Sequence, residues 1–230
     1  MSPELLVMLP LWYAAFLLSV TCHEAAHAFV AYRGGDETAY VGGQVTLNPL
    51  PHIQREMFGT VLIPLVTYMF AGWMMGWASA PYDPLWEARH PRRAAMMAAA
   101  GPASNLILAL LAFAVLKWGL GAGIWIPPDS IEVDRLVLPA AETAGALEGL
   151  GRLCSVMLTL NLVLFLFNLL PVPPLDGAAV LAGLFEPARR LRERLTATPT
   201  FGLLGLVIAW TVFRRVFWPV YFPVLQMLWS

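Results

Sequence analysis

The chain has 230 residues, of which 59% are hydrophobic and only 13% are charged, and its mean hydropathy is +0.67. A soluble globular domain has about 25% charged residues, so this composition excludes a protein whose whole surface faces water. The net charge of −1, without any basic run, argues against nucleic acid as a partner. We therefore expect an integral membrane protein.

Charged residues are missing from five long stretches of the chain. A helix that crosses the hydrocarbon core needs roughly 17–25 apolar residues, and each stretch reaches that length. The stretches are residues 5–23, 57–82, 94–116, 153–175 and 195–213. The sequence therefore predicts a single polytopic domain over residues 1–230 that is embedded in a lipid bilayer.

The first predicted helix runs from about Leu5 to Tyr32. It ends before Gly34-Gly35, a pair typical of a helix C-terminus. Residues 33–56 are more polar and contain the alternating run Gln44-Val45-Thr46-Leu47. We expect this segment to form a short hairpin or loop at the membrane surface.

The middle of the chain alternates between apolar and polar segments. Pro64 and Gly72 interrupt the apolar stretch 57–82, which permits a re-entrant or hairpin element. A second long helix is predicted over 94–118. The segment 119–152 that follows is acidic and is expected to be a loop.

The last third begins with a predicted helix over 153–170, which ends at a group of prolines. A short helix is expected after Gly177. The final apolar run, 195–230, carries Arg214-Arg215 in its middle. We interpret it as one crossing to about Phe213, followed by an interfacial segment whose arginines lie among the headgroups.

The sharpest chemical signal is His23-Glu24-Ala25-Ala26-His27, near the end of the first predicted helix. Residues i and i+4 share a helix face, so the two imidazoles can bind one tetrahedral metal ion. Glu24 lies where a carboxylate can act as a general base without binding the metal. The alternative is two polar histidines at a helix–helix contact, but ionisable groups inside a membrane are costly and are functional by default.

A catalytic zinc site needs a third protein ligand, and Asp176 is the best candidate at membrane depth. It follows Pro171, Pro173 and Pro174, which break the preceding helix. Non-helical backbone is tolerated in a membrane only where protein or a polar cavity satisfies it, so an acid on such a break indicates a site. The alternative is that Asp176 caps the short helix that follows.

Three motifs in this order resemble the site-2 protease family of intramembrane zinc metalloproteases. They are His23-Glu24-x-x-His27, Gly101-Pro102-x-x-Asn105 and Asn168-x-x-Pro171-x-Pro173-x-Leu175-Asp176-Gly177. The resemblance spans residues from about 17 to 185 and is strongest to compact prokaryotic members that lack a PDZ domain. It implies that His23, His27 and Asp176 bind one zinc ion per chain and that Glu24 is the catalytic base.

The resemblance also implies secondary roles for two asparagines. The corresponding amides in that family contact substrate or shape the cleft, which makes Asn105 and Asn168 candidate site residues. A hydrogen bond between helices is the alternative for each. His52 lies in a stretch that resembles the compact members, and it could gate the site, lie near the zinc or be a solvated loop histidine.

The chain departs from the family pattern on the side expected to face substrate. Compact members typically continue His-Ile-Asp-Pro before Gly-Thr, whereas here the run from His52 to Thr60 is longer and altered. Ser79 stands where lysine is usual. These differences leave the three motifs intact.

The motif positions also predict a topology. The first motif lies near the end of its helix and the second near the start of the next long helix, so a hairpin must separate them. Segments 33–56, 79–93 and 183–195 then share the motif side and hold nine arginines, against five basic residues opposite. Because basic residues favour the cytoplasm, we expect a cytoplasm-facing active site, with the N-terminus outside.

The sequence therefore predicts an all-α integral membrane fold. Its core, over about 5–185, has three motif-bearing helices and a re-entrant or hairpin element, and a C-terminal transmembrane helix and interfacial segment follow over 195–230. The predicted function is a zinc-dependent endopeptidase that cleaves within or beside transmembrane segments of other membrane proteins, with water activated by Glu24. A non-hydrolytic zinc-binding membrane scaffold or regulator is the alternative, but zinc binding alone would not need Glu24.

Overall fold

The chain folds mostly into helices, and the computed structural model describes residues 3–140 and 145–230. The helices are α1 (Pro3–Arg33), α2 (Thr38–Val41), α3 (Pro49–Arg55), α4 (Ile63–Ala71), α5 (Pro84–Arg89), α6 (Pro91–Gly121), α7 (Ala146–Asn168), α8 (Asp176–Leu184), α9 (Glu186–Thr196) and α10 (Pro199–Trp229). A π-helical turn, Phe58–Leu62, leads directly into α4. Two short strands, β1 (Trp125–Ile126) and β2 (Leu138–Pro139), pair antiparallel.

Within the described residues, α1, α6 and α7 are the three helices found long and apolar enough to cross a membrane. Their most apolar windows have mean hydropathies of 2.0, 1.9 and 2.0. Helix α6 packs against both others and buries alanines along its length, among them Ala94, Ala98, Ala109 and Ala112. Small side chains of this kind let membrane helices approach closely. The predicted three-helix core is confirmed.

The apolar segment after α3 forms the predicted hairpin. Helix α4 ends at Ala71, and the next residue, Gly72, has a left-handed φ of 67° that reverses the chain. The N–H of Trp77 then donates to the carbonyl of Gly59 at 3.1 Å, so the chain leaves where it entered. At the tip, the Tyr68 hydroxyl donates to the carbonyl of Leu5 at 3.1 Å. The hairpin therefore lies along the first half of α1.

Of the hairpin or loop expected over residues 33–56, the hairpin is wrong and the loop is limited to a part of the segment that includes residues 42–48. This segment forms helices α2 and α3, and residues 42–47 pair with no strand of the described chain. The Asn48 side chain accepts a hydrogen bond from the N–H of Leu50, and Pro49 occupies the first helical position. Both are helix-start signals, so the Asn-Pro pair begins a helix rather than a turn.

Helix α10 runs antiparallel to α7. Phe213 packs edge-on against Phe167, near the end of α7, with ring centroids 5.3 Å apart. At the other end, Trp229 donates to the carbonyl of Leu136 at 3.0 Å, and the N–H of Leu136 donates to Oγ of Ser155 in α7. The helix has no break near Phe213, where the sequence predicted a change to an interfacial segment.

The segment expected as an acidic loop closes the end of the bundle opposite the motifs. Its β-hairpin pairs Trp125 with Pro139, and the Trp125 indole donates to the carbonyl of Leu147 at 3.1 Å. Arg152 reaches Glu4 at the start of α1, 3.8 Å away. This end of the core is therefore sealed by packing and by surface ion pairs.

Candidate metal centre

Two buried histidines of α1 and one aspartate of α8 come together inside the helix bundle. His23 and His27 are 7% and 8% exposed, and their Nε2 atoms lie 2.9 Å apart. Oδ2 of Asp176 lies 3.1 Å from Nε2 of His23 and 3.4 Å from Nε2 of His27. Among the described residues, these three form the one group of His, Cys, Asp and Glu side chains found able to hold a metal ion.

The spacing of the three ligand atoms fits a tetrahedral zinc ion. Zinc binds nitrogen and oxygen at about 2.0–2.2 Å, so two ligands of a tetrahedron lie about 3.3 Å apart. The observed separations are 2.9, 3.1 and 3.4 Å. Three protein ligands leave one tetrahedral position open, which is the arrangement of catalytic rather than structural zinc sites.

Each histidine is held by its other ring nitrogen. Nδ1 of His23 lies 2.6 Å from Oδ1 of Asn105, and Nδ1 of His27 lies 2.7 Å from the carbonyl oxygen of Met97. Because both partners are acceptors, both Nδ1 atoms carry a proton and donate it. The lone pair of each imidazole is then on Nε2, where a metal requires it.

The Gly101-Pro102 pair of α6 faces the two histidines. A Cβ atom at Gly101 would collide with Nε2 of both His23 and His27. Pro102 has no N–H, so the carbonyl of Ala98, one residue after Met97, loses its donor within α6. The second motif therefore provides space for two imidazoles and interrupts the hydrogen bonds of α6 next to the carbonyl that accepts from His27.

Glu24 is buried beside this centre without belonging to it. The residue is 5% exposed, and within the described chain its carboxylate has no hydrogen-bond or ion-pair partner. Its oxygens are not among the fully buried polar atoms that lack a partner, so water can still reach them. Such a group is a candidate for a chemical role rather than a structural one.

The break after α7 brings Asp176 to the histidines. Helix α7 ends at Asn168, and α8 begins at Asp176 with Leu175 in the N-cap position. A Cβ atom at Gly177 would collide with the carbonyl of Leu169, so only glycine allows the two helices to approach this closely. No side-chain hydrogen bond caps α8. The Asp176 carboxylate instead faces the histidines, which disfavours the capping alternative.

Two other predicted site residues lie outside this group. The Asn168 amide donates to the carbonyl of Leu164 in its own helix at 2.9 Å. His52 is 1% exposed, so the interpretation as a solvated loop histidine is wrong. Its Nε2 lies 3.0 Å from the carbonyl oxygen of Thr46, and its Nδ1 has no partner. Neither residue belongs to the metal-binding group.

Sequence reasoning missed Asn161 and Ser19, which lie behind Asn105. Both are 0% exposed and hydrogen-bonded to each other. A signal was present for the first, since Asn161 and Asn168 are the two amides of the charge-free stretch 153–175. Only Asn168 belonged to a motif, yet its amide bonds within its own helix, whereas the amide of Asn161 bonds to Asn105.

Comparison with known proteins connects these motifs to a family. The sequence profile of peptidase family M50 matches residues 12–212, which contain all three motifs. The chain is also similar to a Bacillus subtilis (strain 168) protein named as a zinc metalloprotease, YwhC. The two are 36% identical over 218 residues, which cover 94% of this chain and 87% of YwhC.

More distant relatives are the proteins named as zinc metalloprotease Rip2 in Mycolicibacterium smegmatis and Mycobacterium tuberculosis (strain H37Rv). Each is 28% identical over 195 residues, which cover 85% of this chain and 64% of Rip2. No solved structure shows a significant match. With the profile match covering most of its length and the motifs meeting in one buried centre, the chain belongs to peptidase family M50, the site-2 protease family of zinc metalloproteases.

Proposed function

We propose that the protein is an intramembrane endopeptidase that cleaves within or beside transmembrane segments of other membrane proteins. The observation that carries this proposal is the depth of the metal centre. His23 lies ten residues before the end of α1 at Arg33, which is about 15 Å along a helix. A peptide bond that reaches His23 must therefore enter the apolar part of the bundle.

We assign one zinc ion per chain to His23, His27 and Asp176. When bound, zinc would polarise the scissile carbonyl and stabilise the charge that develops on its oxygen. Glu24 removes the proton from the attacking water and then delivers it to the leaving amine. Asn105 keeps His23 oriented throughout, because it holds the Nδ1 proton of that ring.

The substrate segment must expose a backbone carbonyl, because an intact helix holds its carbonyls in i→i−4 hydrogen bonds. An apolar groove of about 400 Å³ lies beside α1 and can hold an unwound apolar chain; its lining includes Cys22, Ala26, Leu47 and Ile107. Residues 76–81 lie in no helix or strand. Residues 42–47, three of which line the groove, also lie in no helix or strand. We propose that the substrate pairs by strand addition along one of these two segments.

The charge distribution supports a cytoplasm-facing site. Arg214 and Arg215 are exposed on α10 directly after Phe213, which packs near the motif-side end of α7 at Phe167. This pair lies in the middle of α10 and is counted on neither side. Nine of the 14 basic residues then lie on the motif side, in segments 33–56, 79–93 and 183–195, and basic residues favour the cytoplasm.

The cleavage test uses purified protein reconstituted in liposomes with a set of single-span membrane proteins. Mass spectrometry of the products should place the new termini inside or beside the apolar span. The Glu24→Gln protein, prepared in parallel, should give no products. Cleavage confined to water-exposed loops would contradict the intramembrane assignment while leaving the protease activity in place.

The orientation test uses two single-cysteine variants in a Cys22→Ser, Cys154→Ser background in intact cells. Ser130→Cys lies in the segment opposite the motifs and should react with a membrane-impermeant thiol reagent. Ala188→Cys lies on α9 and should react only after the membrane is opened. The reverse pattern would place the site on the outer side.

A further inference from the structure

We propose that Asn161 is a positioning residue for the metal site, because it holds Asn105 in the orientation that makes His23 a metal ligand. The inference deepens the proposed function and rests on it only through the assignment of His23 as a ligand. Asn161 lies on α7, whereas His23 and Asn105 lie on α1 and α6. The three helices of the core would thus share the task of orienting one imidazole.

A chain of hydrogen bonds connects α7 to the metal centre. Nδ2 of Asn105 donates to Oδ1 of Asn161 at 2.8 Å, and Oδ1 of Asn105 lies 2.6 Å from Nδ1 of His23. Nδ2 of Asn161 donates in turn to the carbonyl of Met157 and to Oγ of Ser19, each at 2.9 Å. Ser19, Asn105 and Asn161 are all 0% exposed, so water does not compete for these bonds.

Two backbone carbonyls fix the direction of this chain. The two ends of an amide side chain have the same shape, so its orientation is decided by its partners. The carbonyl of Met157 can only accept, so Nδ2 of Asn161 faces it and Oδ1 faces Asn105. The carbonyl of Ser19, 3.3 Å from Nδ2 of Asn105, imposes the same orientation on that amide. Oδ1 of Asn105 is then left for His23.

The consequence for His23 is a fixed tautomer. An acceptor at Nδ1 requires the ring to carry its proton there, which leaves the Nε2 lone pair toward His27 and Asp176. Reversing Asn105 would set its NH₂ against the donor of His23 and its oxygen against two acceptors, which is costly without water. Removing the Asn161 acceptor takes away one of the two restraints that prevent this reversal.

The competing explanation is that Asn161 only joins helices. In that case its loss would lower the stability of the bundle and leave metal affinity unchanged. Thr159 gives a matched comparison, because it lies two residues away on α7, is also 0% exposed and shares a 2.9 Å hydrogen bond with the Tyr221 hydroxyl. Its hydrogen bonds do not lead to the metal ligands.

The experiment measures zinc affinity of the purified full-length protein by competition with a chromophoric chelator. It also records the visible spectrum of the Co²⁺-substituted protein, which reports ligand geometry. Asn161→Leu should weaken zinc binding about 10–100-fold, the usual effect of losing a partner of a metal-binding histidine, and should alter the cobalt spectrum. Asn161→Asp, with its proton on the oxygen that faces the Met157 carbonyl, keeps the acceptor toward Asn105 and should restore part of the affinity. Thr159→Val should leave both measurements unchanged.

A double-mutant cycle tests whether Asn161 affects His23 through Asn105, which we call the relay, or whether the two asparagines affect zinc affinity independently. In a protein that already carries Asn105→Ala, Asn161→Leu should cause no further loss of zinc affinity, because the connection to His23 is gone. Losses that add, or an unchanged affinity and cobalt spectrum in Asn161→Leu, would overturn the proposal. If Asn161→Leu does not give monodisperse protein, Asn161→Ala and Asn161→Asp carry the comparison, and equal losses in both would also overturn it.

His23→Ala distinguishes failure of this inference from failure of the proposed function. Zinc binding that survives His23→Ala would reject the ligand assignment and the relay together. Zinc binding that depends on His23 but not on Asn161 would reject the relay alone.

Discussion

The two halves of α1 are buried by different chemistry. Its first half packs aromatic side chains. The ring of Trp12 meets that of Trp73, which lies on the hairpin, edge-on with the ring centroids 5.3 Å apart, and Phe16 is fully buried. Its second half buries polar groups, including His23 and Glu24. Apolar packing stabilises the bundle, whereas buried polar groups are a cost unless they are paired. Under the proposed function, one half of the helix supports the fold and the other performs chemistry, so substitutions in the two halves should fail in different ways.

The largest effect is expected for Glu24→Gln in the polar half. Losing a general base costs about 10²–10⁴ in rate, whereas the zinc content should stay that of the unmodified protein because Glu24 is not a ligand. Peptide cleavage and metal content are measured on the same preparation. Zinc loss comparable to that of His23→Ala would show that Glu24 binds metal.

Asp176→Asn tests the proposed ligand that comes from outside α1. The amide keeps the size of the side chain but removes the charge that offsets the metal, so zinc affinity and cleavage should both fall at least about 10–100-fold. Folding should survive, since an amide is less costly to bury than a carboxylate. If Asp176 merely capped α8, asparagine would serve equally well, and full zinc with near-normal cleavage would establish that role.

Phe16→Ala tests the apolar half. Phe16 is 0% exposed and lies against Gly76 of the hairpin. The cavity should destabilise the bundle by about 2 kcal/mol, less than the roughly 3–5 kcal/mol of Phe→Ala in water-soluble cores, because lipid provides no hydrophobic transfer term. Thermal stability in detergent should fall while zinc affinity of the folded protein does not change. Phe70→Ala, at a side chain 87% exposed on the same hairpin, is the matched control and should have little effect.

Ala26→Trp tests whether the groove beside α1 receives the substrate. Filling the groove should slow cleavage several-fold without changing zinc affinity, because Ala26 lines it but belongs to no part of the metal centre. Leu111→Trp, on the exposed face of α6 one turn beyond the groove residue Ile107, is the control. Equal rates for the two variants would exclude this groove as the substrate path.

The smallest effect concerns pH and the loop that follows α1. Asp36 is buried and accepts hydrogen bonds from the N–H of Thr38 at 2.9 Å and of Asp83 at 2.8 Å. Burial alone would raise the pKa of Asp36, but its hydrogen bonds, including one from the Thr38 hydroxyl, outweigh burial and hold that pKa below its ordinary value. The stabilisation is thus present above the ordinary carboxyl pKa and is lost as pH falls through the lowered value.

Thermal unfolding of the intact protein and of Asp36→Asn, compared at neutral pH and near pH 3, checks this sign. We expect the free energy of unfolding of Asp36→Asn to be about 1 kcal/mol lower than that of the intact protein at neutral pH. This difference, or gap, should narrow in acid. A gap that widens in acid would contradict the role given to the carboxylate.

The sequence predicted the parts that depend on local pattern. Charge-free stretches identified α1, α6 and α7, and the i, i+4 spacing of His23 and His27 places both imidazoles on one face whatever surrounds them. The prolines before Asp176 indicated a break that would aim the acid at a site. The hairpin over 57–82 followed from counting crossings between motifs.

The parts that depend on contacts between distant segments could not be predicted. Asn48 starts a helix because its side chain caps α3, although Asn-Pro more commonly indicates a turn. The β1–β2 pair requires two segments to meet over the end of the bundle. Asn161 was missed because its role exists only through Asn105, on another helix.

The close approach at Gly101 has a consequence for interpreting other chains. Gly101 has ordinary helical backbone, so alanine would stabilise α6 by about 1 kcal/mol, yet a methyl group there would collide with both imidazoles. The glycine is therefore required for volume rather than for conformational freedom. A homologue that keeps both histidines but carries any larger residue at this position is expected to have lost its metal, which makes this single site a marker for pseudoproteases that the first motif alone would not expose.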